Sequence, residues 1–143
     1  MKKYLCFIFY SLIFINYSFA QTMNNNLIIE VNNVVVSGGP VGVAIFSSAE
    51  SFKREQPDYF FMFEPVSTTL LKIFPLPAGE YVMSAYQDAN NNGRVDFGLF
   101  GIPKELVGIT NFFGRGFPSR NFDRQKILVE RTTARVIINL YRL

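Results

Sequence analysis

The side chains best able to do chemistry lie together in Asp88-Ala89-Asn90-Asn91-Asn92-Gly93-Arg94-Val95-Asp96. Side-chain oxygens stand at positions 1, 3, 5 and 9 of this run, with glycine at 6 and an apolar residue at 8. That is the first part of a calcium loop. Calcium is a hard cation that takes roughly six to eight oxygens. Gly93 permits the sharp, positive-φ turn that lets alternate side chains converge. The carbonyl of Arg94 falls at position 7. Asp88, Asn90, Asn92, Arg94 and Asp96 are therefore candidate calcium ligands, and Glu105 becomes one if the chain folds back.

The match is incomplete. Leu99 occupies the place of an EF-hand's bidentate glutamate, and only Asp88 and Asp96 carry charge within the loop. Two charges imply weak affinity, roughly 10⁻⁴–10⁻³ M, as in extracellular modules. The same residues suit a metal-free connection, because Asn and Asp bond their own backbone and tolerate left-handed conformations. The sequence leaves both readings open, with calcium as the candidate cofactor.

Composition removes most catalytic chemistries. There is no histidine, and the single cysteine is Cys6. Ser-His-Asp and Cys-His nucleophilic sites are excluded, as are the usual His/Cys zinc sites. A paired-carboxylate hydrolase built from two of Asp88, Asp96 and Glu105 is still allowed. Those residues are better explained as ligands or turn formers, so the expectation is a non-enzyme.

A second constellation is aromatic. Phe97, Phe100, Phe112, Phe113, Phe117 and Phe122 occur with Arg115 and Arg120 in one glycine-rich stretch. As a platform it would suit an envelope protein, a peptide or a carbohydrate, and Phe112, Phe113, Arg115 and Phe117 are the candidate contacts. Long irregular loops in compact domains are often functional. The competing expectation is that most of these rings plug the open end of the fold and anchor the loop.

The elements that position these residues read as β throughout. Leu27, Ile29 and Val31 alternate with Ile28 and Glu30, and Val34-Val35-Val36 follows. Val41, Val43 and Ile45 alternate after the turn cluster Ser37-Gly38-Gly39-Pro40, which suggests an opening hairpin. Ser48 is a candidate N-cap for one helical turn. Short strands are expected at 59–63 and 68–74. Pro75-Leu76-Pro77-Ala78-Gly79 then launches a stronger strand, in which Tyr81, Met83 and Ala85 face one way and Val82, Ser84 and Tyr86 the other. Alternation fails over 89–125, returns at 127–130, and is clearest where Ala134, Val136, Ile138 and Leu140 oppose Arg135, Ile137, Asn139 and Tyr141. The prediction is an all-β, seven-stranded antiparallel β-sandwich of immunoglobulin-like or transthyretin-like type, with one long irregular loop.

The N-terminus sets the expected compartment. Lys2 and Lys3 precede an apolar run from Tyr4 to Ile15, and Ser18-Phe19-Ala20 offers small residues at a cleavage site before Gln21. Residues 1–20 therefore read as a signal peptide, 21–26 as a disordered polar segment, and 27–143 as the domain. The mature chain is expected to be periplasmic or secreted. Cleavage removes two of fourteen basic residues and leaves eleven acidic ones. The mature chain is then near neutral, with no electrostatic footprint for nucleic acid. It has no membrane span and no cysteine for disulfides.

Three segments in order carry a family resemblance: Leu76-Pro77-Ala78-Gly79-Glu80-Tyr81, then Asp88-x-Asn90-x-Asn92-Gly93-x-x-Asp96, then Gly101-Ile102-Pro103-x-Glu105-x-x-Gly108-x-x-Asn111. They resemble the bacterial exported family catalogued as domain of unknown function 2141. The resemblance extends over nearly all of 27–142, including Gly42-Val43-Ala44-Ile45-Phe46 and Tyr141. It implies a periplasmic or secreted β-sandwich with no established activity, and it supplies no catalytic residue. The stretch holding Phe112, Phe113, Arg115 and Phe117 departs from the family's smaller, more polar pattern. Similarity to transthyretin-like modules gives Tyr81 the role of a corner residue, ring inward and hydroxyl on backbone; an ordinary half-buried strand tyrosine is the alternative.

Overall fold

Period-two alternation is converted directly into two-sided strands. The computed structural model describes residues 25–131 and 135–143. The expected leader, residues 21–24 and Ala134 lie outside the described residues. β1 (Asn25–Asn32) buries Leu27, Ile29 and Val31, as the alternation predicts, and it begins two residues earlier than residue 27. β2 (Val41–Phe46) follows, then α1 (Ala49–Lys53), with Ser48 as the expected N-cap accepting the Ser51 N–H at 3.1 Å. Next come β3 (Tyr59–Phe63), β4 (Thr69–Leu76) and β5 (Gly79–Gln87). A 3₁₀ turn at Leu99–Gly101, β6 (Leu106–Ile109), α2 (Phe122–Gln125), β7 (Ile127–Val129) and β8 (Arg135–Asn139) complete the order.

Two sheets form. One has the order β4-β1-β8; the other runs β3-β2-β5-β6, with β7 against the first residues of β5. The apolar core draws on both, joining Leu27, Ile29 and Val31 of the first to Val43, Ile45, Met83 and Ala85 of the second. The chain is thus mostly β, in two sheets that share one core.

Three expectations need correction. There are eight strands among the described residues, not seven, because β6 was hidden: it is short, and Gly108 interrupts its alternation. The fold is not wholly antiparallel. β1 and β8 pair in parallel, Ile29 opposite Val136 and Val31 opposite Ile138. All the intervening strands except β4 lie in the other sheet, so the chain can return to β1 in its original direction.

The third correction concerns β1 and β2, which form no hairpin. They belong to different sheets, and residues 33–40 cross between them. Val34 drops into the core during the crossing, whereas Val35 and Val36 are exposed rather than continuing a strand. Gln87 fixes this passage. Its Nε2–H donates to the carbonyls of Val35 (2.6 Å) and Gly39 (2.9 Å), and Gln87 itself is buried.

β5 is the strand that carries the candidate site. Tyr81, Met83 and Ala85 enter the shared core as predicted, while Val82 joins a second apolar cluster with Phe46, Ile109, Phe112 and Phe122. That cluster lies on the outer face of the second sheet. Tyr81 is a corner residue in the structure: it is buried, and its hydroxyl donates to the Pro77 carbonyl at 3.1 Å. Gly42 lets the Tyr86 ring lie flat across β2; a Cβ there would come within 2.5 Å of Tyr86 Cε1. No helix among the described residues is long and apolar enough to cross a membrane.

Candidate functional site

Asp88 is the first residue past β5, and it is completely buried. Its own N–H donates to the Pro40 carbonyl at 2.8 Å, so the strand hands it over in a fixed position. Gly39 makes this approach feasible, since a Cβ there would meet the Asp88 carbonyl oxygen. The two carboxylate oxygens then divide the turn between them: Oδ1 accepts the Asn92 N–H (3.0 Å) and Oδ2 the Gly93 N–H (2.6 Å). Asn91 and Gly93 take the left-handed conformations (φ 57° and 78°) that wind the chain around the carboxylate. Asn tolerates this region and glycine is indifferent to it.

The chain does fold back. Lys104 N–H donates to the Asp96 carbonyl at 2.9 Å, and Phe97 bridges Pro103. This returns Glu105 to the base of the loop, where it is buried. Its Oε1 accepts the Ala89 N–H (3.2 Å) and its Oε2 the Asp96 N–H (3.0 Å). One carboxylate therefore closes the neck of residues 89–96. Two buried carboxylates satisfy four backbone donors, which removes the desolvation penalty those donors would otherwise carry.

The remaining expected ligands stand on the outer side. Asn90 Nδ2–H and Asn92 Nδ2–H both donate to Asp96 Oδ2, at 2.6 and 2.9 Å. Arg94 Nε lies 3.7 Å from Asp96 Oδ1. The two carboxamide donors, and then the Arg94 and Lys104 charges, hold the Asp96 carboxyl below its ordinary value. The structure thus gathers Asp88, Asn90, Asn92, Arg94, Asp96 and Glu105 into one loop. Among the described residues no three acidic, histidine or cysteine side chains are grouped so that they could hold a metal ion. A cation would have to recruit carboxamide and backbone oxygens, with Asn90 and Asn92 turning their Oδ1 atoms to where Nδ2–H now points.

The aromatic stretch divides differently from its expectation. Phe112 is buried, edge-on to Tyr141 at 5.6 Å, and Phe122 is buried beside α1. Phe112 is therefore not the exposed contact its neighbouring glycines suggested; Gly114 and Tyr141 pack closely at the same place. Phe97, Phe100, Phe113 and Phe117 are exposed, and so is Arg115. Most of the six rings are thus not plugs.

These loops wall a cleft that sequence reasoning missed. It measures about 280 Å³ and runs over the outer face of the second sheet, between Phe97 and Phe117. Ser84 and Tyr86 line it, and both also line an adjoining open groove of about 1020 Å³. Arg120 and Glu55 border both. Burial, followed by the nearby Asp88 and Glu105 charges, raises the Tyr86 phenol above its usual range, and its hydroxyl finds no hydrogen-bond partner among the described residues. The outward alternation of Val82, Ser84 and Tyr86 was the available signal. Nothing in the sequence told which loops would roof them.

The family model described as uncharacterized protein conserved in bacteria (DUF2141) matches residues 29–137. The chain belongs to this family. The match begins within β1 and ends within β8, so it takes in both sheets and the whole loop of this DUF2141 protein. No curated protein and no solved structure matches it.

Proposed function

We propose that this DUF2141 protein is an exported, non-catalytic binding module. Its working surface is the cleft over the outer face of the second sheet, and the 88–105 loop is the rigid support of one wall. The observation that carries this reading is the commitment of Asp88 and Glu105. Each spends both carboxylate oxygens on backbone N–H groups. Carboxylates used this way build a wall, and they are poorly placed to act as a general acid and base. The absence of histidine supports the same conclusion. Small-molecule sites are typically concave and mostly apolar, with a few polar groups, which is the character of this cleft.

A second reading adds calcium to the loop. It is favoured by the convergence of Asn90 and Asn92 on Asp96, beside the Asp88 turn. Calcium would supply the charge that lets the two carboxamides present oxygen instead of nitrogen. A thermal melt over a millimolar calcium titration tests it. The expected result is a rise in Tm that continues with concentration, since a ligand bound only to the folded state stabilises by mass action. The rise should vanish in Asp96→Ala. An unchanged Tm removes calcium and leaves the binding module metal-free, in the role of an envelope interaction domain.

A further inference from the structure

The segment that the Glu105 neck supports ends in an apolar tip. Leu99 is 83% exposed and Phe100 95%. Phe100 also adopts a left-handed φ of 61°, a conformation costly for a bulky side chain. The tip is well built: Gly98 N–H donates to the Ile102 carbonyl at 2.7 Å, above the Phe97–Pro103 bridge and the Lys104–Asp96 bond. A hydrogen-bonded turn that spends strain to project two large apolar side chains needs a medium to receive them.

Two cations lie at the base of this tip. The aliphatic stem of Lys104 runs past Gly98, where a Cβ would lie 3.7 Å from Lys104 Cγ and Cε. Arg142 Nη1–H donates to the Lys104 carbonyl at 2.9 Å. Arg94 stands beside Asp96, and Arg120 lies across the cleft with Phe117. The acidic groups nearby offset part of this charge. Asp96 pairs with Arg94, Glu55 borders the cleft with Arg120, and among the described residues no carboxylate pairs with Lys104 or Arg142.

We propose that Leu99 and Phe100 insert into the interface of an anionic phospholipid bilayer, with Lys104 and Arg142 at the base of the tip facing its headgroups. A projecting pair of side chains is too small for a protein interface, which needs about 800 Å² from each partner. A bilayer accepts individual apolar side chains at its acyl boundary and attracts nearby basic residues. The inference rests on the binding-module reading, for which it names a partner, and does not require calcium.

The chain contains no tryptophan, so an introduced indole reports alone. Phe100→Trp marks the tip; Ala78→Trp, in the exposed turn before β5 and at the opposite end of that strand from Asp88, is the control. Both are made in the full chain, so residues 1–20 contribute equally. With vesicles of phosphatidylcholine and phosphatidylglycerol, emission from position 100 should shift to the blue and be quenched by brominated lipid. Pure phosphatidylcholine or high salt should abolish the change, and position 78 should not respond. No shift at position 100, or equal shifts at both positions, overturns the proposal. A chain that responds to calcium yet shows no shift sinks the lipid reading alone.

Discussion

Gln87 and Val35 bond to each other in both directions. The Val35 N–H donates to Gln87 Oε1 at 2.9 Å, and Gln87 Nε2–H returns to the Val35 carbonyl at 2.6 Å. A side-chain amide thereby imitates one rung of a β-ladder at the place where the chain changes sheets. Gln87→Ala strands these backbone groups in a partly buried setting. The expected loss is about 2–3 kcal/mol, measured by urea unfolding, and Gln87→Glu should also destabilise because a carboxylate cannot donate.

Removing the neck should loosen the loop without melting the sheets. Glu105→Ala exposes the Ala89 and Asp96 amides to exchange and lowers stability by about 2–3 kcal/mol. Hydrogen exchange read residue by residue should show a much larger acceleration over 89–104 than in β1 and β2. Uniform acceleration across the molecule would contradict a local role.

Tyr86 offers a prediction of the opposite sign. Its hydroxyl is buried and unpartnered among the described residues, so Tyr86→Phe should be neutral or stabilising by up to about 1 kcal/mol. Gly42→Ala should instead destabilise by about 1–3 kcal/mol, because the new methyl meets the Tyr86 ring. In a Tyr86→Ala background the Gly42→Ala cost should shrink, and a double-mutant cycle by denaturant melts measures that coupling.

Asp58 gives a pH signature. The Ser47 N–H (2.6 Å), opposed by a smaller burial effect and aided by the Ser47 and Ser51 hydroxyls, holds its carboxyl below the ordinary value of 3.8. A lowered folded-state value means the ionised form stabilises the fold above the unfolded value, and that this contribution is lost as pH falls through the folded one. Asp58→Asn should therefore be less stable than wild type at neutral pH, with the gap closing only below about pH 4. A gap that is constant from neutral pH to pH 3 would refute the assignment.

Much of the scaffold was legible because alternation is a direct physical signal. Leu27, Ile29 and Val31, then Tyr81, Met83 and Ala85, then Val136, Ile138 and Leu140 all enter the core in the predicted phase. Ser48 was legible for the same kind of reason, since a cap depends on local spacing, whereas the Tyr81 corner was one of two readings and came from the transthyretin-like resemblance. Sheet membership was not, because Val35-Val36 reads as strand until one knows that Gln87 has taken the backbone of Val35. At the site, the spacing of Asp88 and Asp96 predicted a turn around oxygen. It could not reveal that Glu105, nine residues beyond Asp96, would take the Asp96 N–H. Phe112 and Phe113 are adjacent, yet one is buried and the other exposed. Tyr141, near the far end of the chain, decides which.

The parallel register of β1 with β8 has a kinetic consequence. β1 is the middle member of its sheet, and one of its two neighbours, β8, lies far along the chain from it. Until Arg135–Asn139 arrives, the first strand has an open flank and the shared core cannot close. Such distant pairing gives a high contact order and slow folding. Until β8 pairs, the sheet around β1 stays pliable however well the rest of the chain has ordered.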